Sequence, residues 1–143
     1  MEKYDSRKDT QEHIDKVNTY LSICAKDLQY RGKLHDASKL LSPEKEYFDD
    51  VTPILKNLVF GTPEYKASCD LIKPALIHHY ANNTHHPQFY ENGINGMNLF
   101  DLVEMLMDWK ASGERNSTGD IKKSLKINSE RFGMSKPNAG AGC

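Results

Sequence analysis

The chain has 143 residues, and its 19 Lys and Arg side chains nearly balance its 20 Asp and Glu side chains, giving a formal net charge of −1. This balance excludes a global basic field, so we expect neither nucleic acid nor an anionic membrane surface as a partner. No apolar run reaches membrane-spanning length, no signal-peptide pattern opens the sequence, and three cysteines are too few for a disulfide framework, so a cytoplasmic protein is predicted.

The first predicted element is an amphipathic helix over about residues 8–29. Its apolar residues recur at alternating spacings of three and four, which is typical of a buried helix face: Ile14, Val17, Leu21, Cys24 and Leu28. His13 lies at the edge of this face. Gly32 is predicted to end the helix as a left-handed cap.

The segment from Leu34 to Leu40 places an imidazole and a carboxylate on adjacent residues, His35 and Asp36. Apolar neighbours at helical spacing predict that this pair lies on a short helix against the core. Both side chains suit a catalytic divalent metal, and a buried Asp needs a positive partner. A His-Asp pair alone is a weak signal, and it gains weight only from the other histidines.

Two proline-containing start signals predict the next helices. Residues 42–44 (Ser-Pro-Glu) combine a capping serine, a proline at the first helical position and an acid in the first turn. They predict a helix that breaks or kinks at Pro53. Residues 62–64 (Thr-Pro-Glu) repeat the signal and predict a helix to about Asn82, bent at Pro74.

Residues 82–97 are rich in Asn, Pro and Gly and are predicted to form a loop. Asn98 is predicted to cap a helix that is apolar nearly all round, and this helix is expected at the buried centre of a bundle. Residues 117–120 predict a capping box for a last helix, which Gly133 ends.

These elements predict an all-α fold, a compact bundle of five or six helices without strands, because no core segment alternates with period two. One helical domain is expected over residues 1–134. Residues 135–143 contain proline and two glycines and are expected to form a flexible tail.

Four further histidines lie just before and within the loop: His78, His79, His85 and His86. His79 is in helical register with Ile72 and Leu76, so it is predicted to point inward, whereas His78 is not. At least one of the two loop histidines is expected to be a ligand, because loops on rigid scaffolds carry function.

The apolar helix carries two candidates for a late acidic ligand, Asp101 and Asp108, which share a face because they are seven residues apart. Asp101 is three residues after Asn98, where an acid caps the helix amides. Asp108 lies mid-helix among apolar residues, where an unpaired carboxylate is costly and a metal would relieve the cost. We therefore expect Asp108 to be the ligand and keep Asp101 as an outer or second-metal residue.

The order of these residues resembles the HD-domain superfamily of metal-dependent phosphohydrolases. That family has a His on one helix, a His-Asp pair on the next, further histidines in some branches and a late Asp on a central helix. The resemblance covers about residues 9–110. Residues 35–39 (His-Asp-Ala-Ser-Lys) are also similar to the His-Asp-x-Gly-Lys pattern of the cyclic-dinucleotide branch. The Gly-Tyr-Pro of that branch is absent, so its substrate does not carry over, and the chain also resembles small uncharacterised phage and bacterial proteins.

The resemblance implies a first divalent ion held by four residues: His13, His35, Asp36 and Asp108. Imidazole and carboxylate ligands without thiolate suit Mn, Fe, Co, Ni or Zn and do not decide between them.

The resemblance further implies a role for His79, His85 and His86. These would either bind a second ion bridged by Asp36 or donate to phosphate oxygens. Lys39, one turn after the His-Asp pair, is placed to neutralise phosphate charge, and a solvated lysine is the alternative.

The expected function is therefore metal-assisted hydrolysis of a nucleotide or related small phosphate ester, by family analogy. Two alternatives stay open. The first is an oxygen-dependent enzyme, since some HD-fold relatives use a histidine-rich two-iron site with oxygen. The second is a non-catalytic, metal-stabilised helical module, which a site with every metal position filled by protein would favour. The sequence predicts no oligomeric state.

Overall fold

Residues 4–59, 62–115 and 120–134 are described by a computed structural model of the chain. They form six α-helices and no strand, which confirms the predicted all-α fold of five or six helices. The helices are α1 (Arg7–Leu34), α2 (Glu44–Leu55), α3 (Pro63–Leu71), α4 (Lys73–Asn82), α5 (Leu99–Glu114) and α6 (Ile121–Arg131).

Short 3₁₀ helices lie at Ala37–Leu40, Pro87–Phe89 and Gly93–Gly96. The chain divides into two units, Met1–His35 and Asp36–Cys143. The single domain expected over residues 1–134 stays a prediction, and the expected tail, residues 135–143, lies outside the described part of the chain. Among the described residues, no helix combines the length and hydropathy that crossing a membrane requires.

The first unit consists of α1, which is longer than predicted. The helix continues through Gly32 and ends at Leu34, so the predicted left-handed cap at Gly32 is wrong. A glycine costs about 1 kcal/mol in a helix interior, and basic side chains in the last turn, Arg31 and Lys33, favour helix there. Among its described residues, this unit contains no other helix for the apolar stripe of α1 to pack against, so the predicted packing of that stripe stays a prediction.

The second unit opens with a turn at Asp36, whose φ of 57° lies in the left-handed region. The prediction that the His-Asp pair lies on a short helix is therefore wrong. The pair lies at the junction between α1 and the 3₁₀ helix Ala37–Leu40. Asp tolerates this conformation better than most residues. The Asp36 carbonyl accepts a hydrogen bond from the Lys39 amide at 2.9 Å, which closes the turn.

The N-terminal cap predicted for α2 is absent, and the one predicted for α3 is present. Pro43 is the N-cap of α2 and no side chain caps that helix, so the predicted Ser42 cap is wrong. Thr62 caps α3 as predicted, accepting from the Tyr65 amide at 3.2 Å. The predicted bend near Pro74 is a full break, because α3 ends at Leu71 and α4 begins at Lys73.

The Asn98 cap of α5 is confirmed, and Asp101 completes a capping box with it. Within the second unit, α5 is not the buried centre that was predicted. Only Asp101 and Met105 of this helix are fully buried, and Leu99 and Met107 are exposed.

Asp120 caps α6 by accepting from the Lys122 amide at 2.9 Å, and residues 117–119 of the predicted capping box lie outside the described part. The helix ends at Arg131, just before Gly133, whose φ is +62°. α5 packs against α6, with Trp109 and Phe132 stacked at 6.1 Å between ring centroids.

Buried polar residues are as prominent as buried apolar ones in the second unit. The apolar set is Val51, Ile72, Ala75, Met97 and Met105. The polar set is Glu44, Ser68, His79, His85 and Asp101. α2, α4 and the 3₁₀ helix Ala37–Leu40 pack against one another, and most of the polar side chains discussed below lie where they meet.

Candidate metal centre

Three imidazoles and one carboxylate converge within the second unit. Asp36 occupies the left-handed turn, His79 lies in the last turn of α4, and His85 and His86 follow α4 in the turn before the 3₁₀ helix Pro87–Phe89. One nitrogen of each imidazole and one oxygen of Asp36 all lie within 4.8 Å of one another.

The turn after α4 brings the loop histidines back onto the helix. Asn83 leaves the helical conformation, and its side-chain amide donates to the His79 carbonyl at 2.8 Å. The His86 amide then donates to the Asn83 carbonyl at 3.2 Å. This tight reversal places the ring of His86 4.8 Å from the ring of His79, centroid to centroid.

The donor atoms are spaced like the ligands of one metal ion. His79 Nε2 lies 3.2 Å from Asp36 Oδ1 and 2.9 Å from His86 Nε2, and His85 Nε2 lies 3.4 Å from Asp36 Oδ1. A metal–nitrogen distance of about 2.0–2.1 Å puts neighbouring ligands about 2.9 Å apart at right angles and about 3.3 Å apart at tetrahedral angles. These three distances are therefore close to those between adjacent ligands of a divalent ion.

Burial and neighbouring charges keep Asp36 and His86 in the states that bind metal. His79 is 1% exposed and His85 is 2% exposed, while Asp36 and His86 are half-buried. Burial raises the pKa of Asp36, but the close contacts with His79, His85 and Lys39 outweigh burial and hold the pKa well below its usual value. Burial, reinforced by the neighbouring imidazoles of His85 and His79, lowers the pKa of His86 to about 3, so this imidazole is neutral at neutral pH.

Two further carboxylates contact the far side of the buried imidazoles. Glu44, which is 0% exposed, places Oε2 2.9 Å from His79 Nδ1 and Oε1 2.7 Å from His78 Nδ1. Glu104 of α5 places Oε1 3.1 Å from His85 Nδ1. Each fully buried imidazole thus has Nε2 facing the centre and Nδ1 facing a carboxylate.

A family described as "Family of unknown function (DUF5662)" matches residues 2–140, nearly the whole chain. The chain belongs to this family. No curated protein and no solved structure matches it.

Of the metal ligands predicted for this DUF5662 member, the structure brings together Asp36, His79, His85 and His86. The inward orientation predicted for His79 is confirmed, while the side chain of His78 is 43% exposed. The predicted first-ion set differs from this group, since it combined Asp36 with residues from other parts of the chain.

His13 and His35 belong to the first unit of the DUF5662 chain. His13 lies on the exposed surface of α1, and His35 is the half-buried residue that follows this helix and directly precedes Asp36. Their role as metal ligands stays a prediction.

The two late aspartates have different environments. Asp101 is 1% exposed and accepts from the Asn98 amide at 2.9 Å and from the Tyr90 hydroxyl at 2.6 Å, which supports its capping role. Asp108 is half-buried, and one of its oxygens lies within 4.8 Å of a ring nitrogen of His85. Asp108 is therefore near the centre but outside the four-residue group.

Lys39 pairs with the carboxylate of Asp36. Its ammonium group lies 2.6 Å from Asp36 Oδ2 and 5.4 Å from the centroid of the Phe48 ring. The lysine thus holds one oxygen of Asp36 while the other oxygen, Oδ1, faces the imidazoles. Its predicted role in neutralising phosphate charge stays a prediction.

Glu44 and Glu104 were missed as site residues by the sequence analysis. Glu44 was interpreted only as the first-turn acid of α2, because such acids usually serve the helix end. Glu104 carried a usable signal, since it lies three residues after Asp101 and four before Asp108 and so shares their helix face. No spacing in the sequence predicts that Glu44 lies opposite α4.

Proposed function

We propose that this DUF5662 member is a metal-dependent phosphohydrolase whose centre is formed by Asp36, His79, His85 and His86. The observation that carries the proposal is the spacing of their donor atoms, at 2.9, 3.2 and 3.4 Å, which matches adjacent positions around one ion. The donor set of three imidazoles and one carboxylate suits Mn, Fe, Co, Ni or Zn.

Two of the four proposed ligands are partly exposed. His79 and His85 are fully buried, whereas Asp36 and His86 are half-buried, so we propose that a substrate approaches past these two. A six-coordinate ion held by four protein donors keeps two positions for water and substrate. Bound there, a divalent ion supplies Lewis acidity and lowers the pKa of a water molecule.

The chain's own residues would prepare that chemistry by orientation. Lys39 holds Asp36 Oδ2 so that Oδ1 faces the imidazoles, and the neutral His86 imidazole keeps a lone pair for the ion. A nucleotide or related small phosphate ester is proposed as the substrate from the resemblance to the HD-domain superfamily.

The donor count favours one competing function. Four protein donors complete the shell of a tetrahedral ion, which is the pattern of structural zinc sites. A non-catalytic, metal-stabilised module is therefore the second candidate, and an iron- and oxygen-dependent enzyme is an outcome of the same experiment.

The test begins with the metal content of protein purified without added metal. Metal-free protein is then reloaded anaerobically with manganese or cobalt and incubated with a panel of nucleotides and small phosphate esters. Release of phosphate or nucleoside that is lost in His79→Gln, but kept when the exposed Asp49 is changed to Asn, supports the hydrolase. Turnover only with iron and oxygen would transfer the assignment to the oxygenase, and tight binding of one zinc without turnover would favour the structural module.

A further inference from the structure

Glu44 and Glu104, which contact the Nδ1 atoms of His79 and His85, have no role in the proposed chemistry. Glu44 is nevertheless buried more completely than any of the proposed ligands. Glu44 is 0% exposed and contacts three side chains from two other elements. It accepts from Ser38 Oγ at 3.0 Å, and it lies 2.7 Å from His78 Nδ1 and 2.9 Å from His79 Nδ1. A buried carboxylate is costly, so its retention at this position requires compensation from these donors.

The hydrogens around His79 Nδ1 can be assigned from the partners. The Asn83 amide nitrogen lies 2.9 Å from Ser38 Oγ, 2.8 Å from the His79 carbonyl and 3.0 Å from His79 Nδ1, and its two hydrogens are satisfied by the two oxygens. Ser38 Oγ lies 3.0 Å from Glu44 Oε2 and 3.1 Å from His79 Nδ1, and its only hydrogen goes to the carboxylate because a charged acceptor forms the stronger bond. An ionised carboxylate has only acceptors. The close contact between Glu44 Oε2 and His79 Nδ1 therefore requires the hydrogen to be on Nδ1.

The geometry places the Glu44 carboxylate as an acceptor. Oε2 accepts from the Ser38 hydroxyl, and the two oxygens lie 2.7 Å and 2.9 Å from the Nδ1 atoms of His78 and His79. With Nδ1 protonated, the lone pair of a neutral His79 imidazole is on Nε2, the atom that faces Asp36 and His86.

His85 repeats this arrangement with a different helix. Its Nδ1 lies 3.1 Å from Glu104 Oε1 on α5, and its Nε2 lies 3.4 Å from Asp36 Oδ1. Here too the carboxylate accepts from Nδ1 and leaves Nε2 for the centre. The two carboxylates come from α2 and α5, so the orientation of the two imidazoles depends on separate parts of the second unit.

We propose that Glu44 and Glu104 are positioning residues that fix His79 and His85 in the tautomer with hydrogen on Nδ1, and so set the affinity of the centre for a divalent ion. The inference rests on the proposed metal centre but not on hydrolysis. A carboxylate behind a metal-bound imidazole also raises the basicity of the ligand, and loss of such a partner typically weakens metal binding by about 10–100-fold.

The experiment measures zinc affinity by chelator competition for the full chain and for Glu44→Gln, Glu44→Asp and Glu104→Gln. Glu46→Gln, on the exposed surface of α2, is the matched control because it removes the same charge without facing an imidazole. Long-range ¹H–¹⁵N spectra of the zinc-loaded protein report which ring nitrogen of each histidine carries hydrogen. Thermal unfolding without zinc separates loss of affinity from loss of folding.

We expect Glu44→Gln and Glu104→Gln each to weaken zinc binding by about 10–100-fold. Glu44→Asp, which keeps the charge, is expected to recover part of the loss, and Glu46→Gln to bind zinc like the wild type. The spectra are expected to show hydrogen on Nδ1 of His79 and His85 in the wild type, with a changed Nδ1–H signal only at the histidine whose partner was altered.

Two results would overturn the inference. One is unchanged zinc affinity in both Gln variants while they fold normally, and the other is zinc bound through Nδ1 of His79 or His85. Either result leaves the hydrolase proposal standing, because turnover is measured separately. Conversely, wild-type protein that binds zinc with the expected variant effects but hydrolyses nothing would support the positioning role and contradict the proposed function. If Glu44→Gln fails to fold, Glu104→Gln decides the question alone.

Discussion

Asp36→Asn is the perturbation that best separates metal binding from folding. Asn is close in size to Asp and tolerates the left-handed φ of 57°, so the turn keeps its backbone. Without metal, the variant loses the ion pair with Lys39, whose side chain is 33% exposed against 25% for Asp36. A pair this accessible contributes about 0.2–1 kcal/mol, so the metal-free variant is expected to unfold close to the wild type.

With metal, the two proteins should differ strongly. An ion at 100 times its Kd stabilises the wild type by about 2.7 kcal/mol. Loss of the carboxylate is expected to weaken binding by about 100-fold or more, since loss of an outer partner alone costs about 10–100-fold. The same ion concentration then equals Kd and contributes only about 0.4 kcal/mol. Because 1 kcal/mol moves Tm by roughly 2–8 °C in domains of this size range, the wild type gains on the order of 10 °C and the variant a few degrees at most.

The assay is thermal unfolding followed by circular dichroism, with a chelator and then with cobalt or zinc. Asp49→Asn is the matched control, because Asp49 also pairs with a lysine, Lys45, but on the exposed surface of α2. It should show the full metal-induced shift. If Asp36→Asn showed that full shift as well, Asp36 would not be a ligand and the proposed centre would be wrong.

Three further outcomes can be measured on the same protein. Without metal, the free energy of unfolding should fall as the pH falls from about 6.5 to about 3. The pKa of His86 is about 3 in the folded chain, so in this range only the unfolded chain protonates that imidazole. His86→Gln should flatten this pH dependence in denaturant titrations. Met105→Ala should cost about 2–5 kcal/mol, because Met105 is 1% exposed and truncation leaves a cavity. Asp101→Ala should destabilise by about 1–3 kcal/mol through loss of the Asn98 capping box and the Tyr90 hydrogen bond, while leaving the metal-induced shift unchanged.

The features that were predicted correctly from sequence are those determined by a few neighbouring residues. Thr62 and Asn98 cap their helices because a short polar side chain before a helix reaches the free amides two or three residues on. The orientation of His79 followed from its register with Ile72 and Leu76 within one helix. These inferences require no knowledge of how distant elements pack.

The wrong predictions concern balances between comparable energies or contacts between distant segments. Gly32 is compatible both with a helix interior and with a left-handed cap, and the difference of about 1 kcal/mol is offset by its neighbours in α1. Asp36 was placed on a helix because its neighbours are apolar at helical spacing, whereas its backbone makes the left-handed turn that aims the carboxylate at the imidazoles. The spacing of apolar residues does not indicate where a single residue adopts positive φ.

The geometry of the site depends on topology that no motif encodes. The predicted first-ion set follows the order of the HD-domain pattern, and His79, His85 and His86 were expected to bind a second ion bridged by Asp36 or to donate to phosphate oxygens. In the structure the break between α3 and α4 and the reversal at Asn83 bring His85 and His86 onto His79. Asp36 then meets three imidazoles of one helix end, which is the grouping expected for the second ion, while the first-ion set stays a prediction.

The interior of the second unit explains why the centre should matter for folding as well as for function. Its fully buried polar residues are as prominent as its apolar ones, and Glu44 and His79 lie where α2, α4 and the 3₁₀ helix Ala37–Leu40 meet. A network of this kind stabilises a fold only when every member is satisfied, because an unmatched buried charge costs several kcal/mol. Carboxylates outnumber ammonium groups around the imidazoles. Asp36, Glu44, Glu104 and the nearby Asp108 carry negative charge, Lys39 pairs with Asp36 alone, and a divalent ion would offset part of the excess. Metal binding at this position would therefore stabilise the contacts among the same elements that orient the ligands.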